Sequence, residues 1–337
     1  MINTVYRLVA PRRFEIAFED IDLFGDNAIV RSICNADMRY YLGTRDAKVL
    51  AEKLPMALIH EGVGVVMRDP SGKFAPGDRV VMVPNCPTET DDYIGENYLR
   101  SSKFCGSSMD GFLQEYVEIS PRRLVKLPQD INMNVAAFTE IVSVAVHAIS
   151  RFDKIAHARR DAIGVWGDGN LAYIVSLFLK KTFPDSKVYV FGLNDDKLAD
   201  FTFADGAYKT TEVPEGFTMD HAFECVGGNG SPIAIEQIIG LIKPEATLSI
   251  LGVSEYPVPI NTRMILEKGL RVFGSSRSGV ADFEKTVQMY QQYPEIIDYL
   301  GNLISSVNVV RTTTDIKQAF EKDTQKAFGK TIMVWQE

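Results

Sequence analysis

The sequence predicts an α/β protein with a strand-rich, barrel-like domain and a doubly wound parallel sheet, and three observations carry that expectation. Over the first 120 or so residues, short β-rich runs alternate with Gly/Pro turns. From about residue 161 the rhythm changes to continuous apolar strands separated by helical patterns, as in a parallel sheet covered on both faces. At that change a glycine turn closes an apolar strand and opens a helix, an arrangement that cradles a nucleotide.

The elements follow in order. FEIAFEDI, NAIVRSIC, GVGVVMR, DRVVMVP and FLQEYVEI read as strands, separated by turns such as DPSGKFAPGDRV. AIGVW then leads through the glycine turn into a helical LAYIVSLFLKK, and KVYVFGL into a second helical stretch, DDKLADFTFA. HAFECVG, a helical SPIAIEQIIGLI, TLSILGV and LRVFGSS continue the alternation. After Ser276 the amphipathic VADFEKTVQMYQQY precedes short strands ending in KTIMVW, a tail expected to rejoin the first domain and leave the sheet domain inserted. The expected division is a catalytic domain over 1–145, a cofactor-binding domain over 146–280 and a returning segment over 281–337. Two domains suit 337 residues, because single cores stop growing near about 250–300.

Composition narrows the function classes. An apolar share of 46% and a charged share of 24% are those of an ordinary globular chain rather than a disordered or fibrous one. No opening segment combines a basic end with an apolar run of signal-peptide length, and no apolar stretch could span a bilayer, so a cytoplasmic location is expected. A net charge of −8 argues against a nucleic-acid or anionic-membrane surface while leaving room for a local basic pocket that binds a phosphate. Cys34, Cys86, Cys105 and Cys225 are too dispersed for a disulfide framework and read as reduced thiols.

In the turn Gly167-Asp168-Gly169-Asn170-Leu171-Ala172, the first glycine permits the tight bend and the second lets backbone approach a pyrophosphate. Ala172 takes the third position, where close helix–strand packing is required. The next strand ends at Gly192, where an acidic residue would accept the ribose hydroxyls of NAD. That gap favours NADPH, with Asn194, Lys197 or Tyr208 assisting at the 2′-phosphate. Asp195 and Asp196 read as residues opening the next helix, the alternative being that one of them is the acid that accepts the ribose hydroxyls.

Cys34, His60, Glu61 and Glu140 form a dispersed set of soft and hard ligands suited to one zinc ion that keeps a position open for substrate. Each alone has a plain reading, as a small buried hydrophobe, a satisfied core histidine or a helix-face carboxylate. Together they point to a metal. Glu140 sits alone in the apolar run AAFTEIVSVAVHAI, where an unpaired charge is costly and a cation partner compensates. Glu61 is either a direct ligand or a carboxylate that orients one.

These residues carry a resemblance to the zinc-dependent medium-chain alcohol/polyol dehydrogenases that covers nearly the whole chain. Cys34-Asn35-Ala36-Asp37 resembles that family's Cys-Gly-Ser/Thr-Asp element, and Ile59-His60-Glu61-Gly62-Val63-Gly64 its Gly-His-Glu motif. Glu140-Ile141-Val142-Ser143 resembles the Glu-Pro-Leu-Ser element of the sorbitol dehydrogenase branch, whose carboxylate faces the zinc. The resemblance implies a GroES-like barrel plus a Rossmann domain, usually dimerised through the latter. Ala36 and Arg39 stand where the family has a Ser/Thr–His proton relay. Only Cys86 and Cys105 lie in the lobe that elsewhere holds a four-cysteine structural zinc, so a single metal is expected.

Two longer stretches, PVPINTRMILEKGLRVFGSSRSG and NYLRSSKFCGSSMDGFLQEYV, resemble the ribulose-5-phosphate reductases that supply ribitol 5-phosphate for CDP-ribitol and for ribitol teichoic or capsular polymers. They imply NADPH-dependent reduction of D-ribulose 5-phosphate at C2, a homodimer and association with the pathway's cytidylyltransferase. Arg39 offers a planar fork for the sugar phosphate, with Tyr40 and Tyr41 beside it; Arg45 and Arg277 are reserves, and Arg277 equally suits the cofactor. The plain alternative for Arg39 is a pair with Asp37. Competing functions are an NAD-linked dehydrogenase of unphosphorylated polyols such as sorbitol or xylitol, and a zinc- and nucleotide-binding scaffold without catalysis.

Overall fold

The computed structural model describes residues 1–21, 30–326 and 328–336. The chain divides into two compact units, Met1–Ser143 with Arg277–Glu337, and Val144–Ser276.

In the first unit, among the described residues, a six-stranded sheet runs in the order Ile304–Val310, Lys330–Trp335, Val30–Ile33, Glu61–Val65, Arg79–Met82, Leu124–Lys126. The first two strands are parallel and are joined through helix Thr313–Gln325; every other neighbouring pair is antiparallel. The C-terminal tail thus supplies the strand beside Val30–Ile33. Register matters here, because Thr331 lies opposite Ile33 and Ser32 opposite Glu61. Cys34, Glu61 and Lys330 therefore meet at one end of the sheet, although Lys330 lies 269 residues from Glu61 in sequence. A smaller sheet of Arg13–Asp20, Ile2–Ala10 and Met56–Ala57 leads the chain directly into His60.

One expected strand is absent as a regular element. FLQEYVEI touches Ile2–Ala10 through a single bridge, Val5 to Gln114. Its backbone is spent elsewhere: Phe112 and Leu113 N–H groups donate to Ile59 and Leu58, and the buried Arg31 guanidinium takes the carbonyls of Phe112 and Gln114. With those carbonyls committed to a side chain, no ladder can run through them. For NAIVRSIC, the strand occupies Val30–Ile33, and residues 27–29 lie outside the described residues.

The second unit holds, among the described residues, a six-stranded parallel sheet in the order Gly206–Lys209, Lys187–Gly192, Ala162–Trp166, Met219–Glu224, Ile242–Ile250, Arg271–Gly274. Numbered along the chain this is 3-2-1-4-5-6, the doubly wound dinucleotide-binding order with its switch point beside the first strand. Strand Ala162–Trp166 is buried from Ile163 onward, which explains its continuous apolar run. Helix Asn170–Thr182 is buried from Ala172 to Leu179. The helix expected over DDKLADFTFA is only Asp195–Ala199, because Phe201 and Phe203 turn inward to meet the Tyr173 ring at 5.2 and 4.9 Å. Asn194, not an aspartate, is its N-cap residue.

Candidate functional site

The metal-type ligands come from separate elements of the first unit. Cys34 is the N-cap residue of helix Asn35–Tyr41, Glu61 opens strand Glu61–Val65 with His60 just before it, and Glu140 lies in the first turn of helix Thr139–Ile155. Ligand atoms of Cys34, His60 and Glu61 lie within 4.8 Å of one another. Glu140 stands outside that tight group but within electrostatic reach of His60 and Glu61. Its carboxylate is 6% exposed and receives no hydrogen bond among the described residues. Desolvation drives its pKa up to about 7, against the opposing charge of His60. A cation is the missing partner, and the thiol, imidazole and carboxylate donors fit zinc.

Asp37 organises this group. It is fully buried, and its oxygens accept from the N–H of Cys34 at 3.1 Å and of Ile59 at 2.9 Å, with Oδ1 3.4 Å from His60 Nδ1. An Nδ1–H directed at Asp37 leaves Nε2 for a metal. Burial by itself would depress the His60 pKa, but Asp37 and Cys34 outweigh it and hold it well above the usual histidine value. Asp37 is therefore spent on these partners rather than on Arg39.

Ile59, in the place of the motif's glycine, has φ +73°. For a β-branched residue this costs on the order of 1–3 kcal/mol and persists only where the surroundings over-determine it. Here Asp37 holds its N–H, Phe112 N–H holds its carbonyl at 2.7 Å, and Gly111 packs so closely that a Cβ would lie 2.2 Å from that oxygen.

Lys330 is the residue that sequence reasoning missed. Its ammonium lies 2.8 and 2.6 Å from the two Glu61 oxygens, and it is 2% exposed. Only Oε1 receives a well-directed hydrogen bond; Oε2 has none. An isolated lysine in FGKTIMVW carries no local signal of such a role. Arg277 also belongs to the first unit: its guanidinium lies 4.6 Å from the centre of the Phe104 ring, which packs 5.4 Å from His60, and it feels the Glu140 charge. Its φ of +58° is a second left-handed non-glycine conformation at the site. Arg39 sits in the last turn of helix Asn35–Tyr41, beside the buried Tyr40. Tyr41 turns away to Phe14, Phe320 and Glu321. Cys86 and Cys105 lie side by side, a hydrogen bond from the Cys105 thiol lowering the Cys86 pKa to about 7.

In the second unit Gly167 has φ +130° and packs against the Cys225 carbonyl and Ala172, where a Cβ would come within 3.1 and 3.2 Å. Gly169 is the N-cap of helix Asn170–Thr182; a Cβ there would meet nothing within 4 Å, which leaves space for phosphate before the N–H groups of Asn170 and Leu171. Gly192 has a packing reason that the sequence did not disclose. A Cβ there would lie 2.7 Å from the Asp168 Cβ, because Asp168 folds over the strand end and accepts from Leu193 N–H, Asn194 N–H and Asn194 Nδ2 at 2.8, 2.9 and 3.2 Å. Lys197 stands 4.0 Å from the same carboxylate. Tyr208 lies in an aromatic cluster with Tyr189, Phe191 and Phe217.

Residues 28–129 match the alcohol dehydrogenase GroES-like domain. The whole chain is 54% identical to the ribulose-5-phosphate reductase of Bacillus spizizenii, covering 100% of both proteins, and 41% identical to that of Streptococcus pneumoniae, covering 100% of this chain and 98% of the relative. The chain belongs to the ribulose-5-phosphate reductases. Among solved structures, S. aureus TarJ in complex with NADPH is 47% identical, with a TM-score of 0.88 and complete coverage of both chains. L-Idonate 5-dehydrogenase of Escherichia coli, at 19% identity and TM-score 0.84, shares the fold.

In this reductase-family chain, Lys330→Met should strand Glu61 as an uncompensated buried charge and cost about 3–5 kcal/mol, and adding Glu61→Gln should restore much of it. Denaturant unfolding of the metal-free protein measures both.

Glu140 and His60 set a pH dependence. Both folded-state pKa values are raised, so the folded chain keeps protons that the unfolded chain has already released. Metal-free protein should therefore lose stability as pH rises from about 5 towards 8. Zinc held by these residues would displace the His60 proton and pair the carboxylates, so its increment in melting temperature should grow with pH over that range. Calorimetry of chelator-treated protein at the two ends, with and without zinc, checks the sign.

Proposed function

We propose that this chain reduces D-ribulose 5-phosphate at C2 to D-ribitol 5-phosphate, using NADPH and one zinc ion. The observation that carries the reading is the full-length 54% identity to a ribulose-5-phosphate reductase. In this reading residues 1–145 and the returning segment 281–337 form the catalytic part, and 146–280 bind the cofactor.

Cys34, His60 and Glu140 hold the metal, with Glu61 kept beside it by Lys330. Zinc bound there supplies Lewis-acid polarisation of the ketose carbonyl for hydride addition. Asp37 holds the His60 ring in one tautomer, and Arg39 binds the substrate phosphate. Gly167, Gly169, Asn170 and Leu171 receive the pyrophosphate of NADPH, while Asn194 and Lys197 lie at the strand end beside Gly192, where the 2′-phosphate belongs. Arg277, beside Glu140, serves the reacting end of the site, for substrate or nicotinamide. The product feeds CDP-ribitol synthesis for teichoic or capsular polymers.

Asp168 supports the NADPH choice despite its charge. Its Oδ2 closes the turn through three N–H groups, and Lys197 offsets it, so the carboxylate is committed rather than open to a ribose diol. The chain also forms a homodimer in this reading, through the second unit, whose Ile233, Val253, Tyr256 and Leu266 are exposed apolar side chains. Association with the pathway's cytidylyltransferase and a cytoplasmic location belong to the same reading; among the described residues no helix is long and apolar enough to cross a membrane.

Following NADPH oxidation with and without ribulose 5-phosphate, and NAD+ reduction with sorbitol, tests the function. Oxidation that depends on ribulose 5-phosphate is expected, whereas NAD-linked oxidation of sorbitol without it would support the polyol reading, and no turnover at all the scaffold. Lys197→Ala should raise KM for NADPH roughly tenfold or more, as loss of a charge-assisted contact does, and change KM for NADH little. Equal effects on both cofactors would place the 2′-phosphate elsewhere.

A further inference from the structure

Two cations of the first unit converge on one aromatic side chain. The Arg45 guanidinium lies 4.8 Å and the Lys53 ammonium 5.9 Å from the centre of the Tyr40 ring. Arg39 precedes Tyr40, and its pKa is lowered by burial and then by the Arg45 charge. All three side chains are half-buried, where mutual repulsion is screened less than at a free surface. The face of Tyr40 accounts for the attraction of a cation to it.

Two further observations point to an anion. Tyr40 is 1% exposed, and its hydroxyl is buried with no hydrogen-bond partner among the described residues. Lys53 donates to Ser107 Oγ at 3.3 Å and meets no carboxylate among the described residues. A phosphate would give the Tyr40 O–H an acceptor and Lys53 a counter-charge, and the planar fork of Arg45 suits the same anion.

The cluster is tied to the metal ligands from two sides. Tyr40 lies on the helix capped by Cys34, roughly 9 Å of helical rise away. Ser107 follows Gly106, which packs so tightly on the Ile59 backbone preceding His60 that a Cβ would lie 3.2 Å from it.

We propose that Arg45, Lys53, Ser107 and the Tyr40 hydroxyl seat the phosphate of the substrate, with Arg39 at the edge of that seat. The inference rests on the ribulose-5-phosphate reading and moves the main grip from Arg39 to Arg45 and Lys53, which distinguish a phosphorylated ketose from a free one.

The test compares wild type with Lys53→Met, Arg45→Ala and Tyr40→Phe, after circular dichroism confirms that each folds. The measured quantity is the ratio of kcat/KM for ribulose 5-phosphate to kcat/KM for unphosphorylated ribulose, each with NADPH. The ratio should fall roughly ten- to hundredfold in Lys53→Met and Arg45→Ala, the effect of losing a charge-assisted contact, and less in Tyr40→Phe. A ratio unchanged in both cation variants overturns the seat while leaving the proposed activity standing. Titration calorimetry with inorganic phosphate supplies an arm independent of turnover. Wild type should bind it saturably and the two cation variants more weakly. If wild type fails to reduce ribulose 5-phosphate, the proposed function falls, and the phosphate titration still decides the seat: binding that is absent, or equal in all variants, overturns it.

Discussion

Three carboxylates, Asp37, Glu61 and Glu140, are buried at one end of the first unit's sheet, and the surrounding structure is arranged around the cost of keeping them there. Asp37 is satisfied by two backbone N–H groups and His60, and Glu61 by the Lys330 ammonium. Glu140 is left with the N-terminal end of its own helix and the more distant charges of His60, Lys330 and Arg277. A divalent cation beside Cys34 and His60 completes that balance. Without it, the chain retains protons that its surroundings do not otherwise favour.

The same economy explains the left-handed backbone at Ile59. The conformation turns His60 and Glu61 towards the ligand group, and Asp37, Phe112 and Gly111 hold it from three sides. Phe112 opens the irregular segment FLQEYVEI, and Gly111 immediately precedes it. Its irregular hydrogen bonding is thus the means by which the segment carrying His60 and Glu61 is supported. In the second unit Asp168 has a comparable part: by closing the turn after Lys187–Gly192 it requires a glycine at 192 and places Asn194 and Lys197 at the strand end.

Much of the fold and part of the site were legible in the sequence. Continuous apolar strands alternating with helical patterns, and the Gly167–Ala172 turn, identify the parallel sheet and its nucleotide cradle, because backbone geometry there depends on residues close in sequence. The ligand chemistry of Cys34, His60, Glu61 and Glu140 was equally visible, since a thiol, an imidazole and a carboxylate in apolar surroundings announce themselves by type. The shortened helix after Asn194 and the irregular FLQEYVEI were not, because distant side chains, Tyr173 in one case and Arg31 in the other, override local propensity.

By itself, then, the sequence determined which residues are able to bind a metal and a dinucleotide and which periodicities build the two units. Only the tertiary structure decided how those groups are balanced: that Lys330 neutralises Glu61, that Asp168 fills the space beside Gly192, and that Arg45 and Lys53 gather at Tyr40. The reason is physical. Ligand type is a property of a single residue, whereas the cancellation of a buried charge depends on strand register and helix packing that bring together residues far apart along the chain.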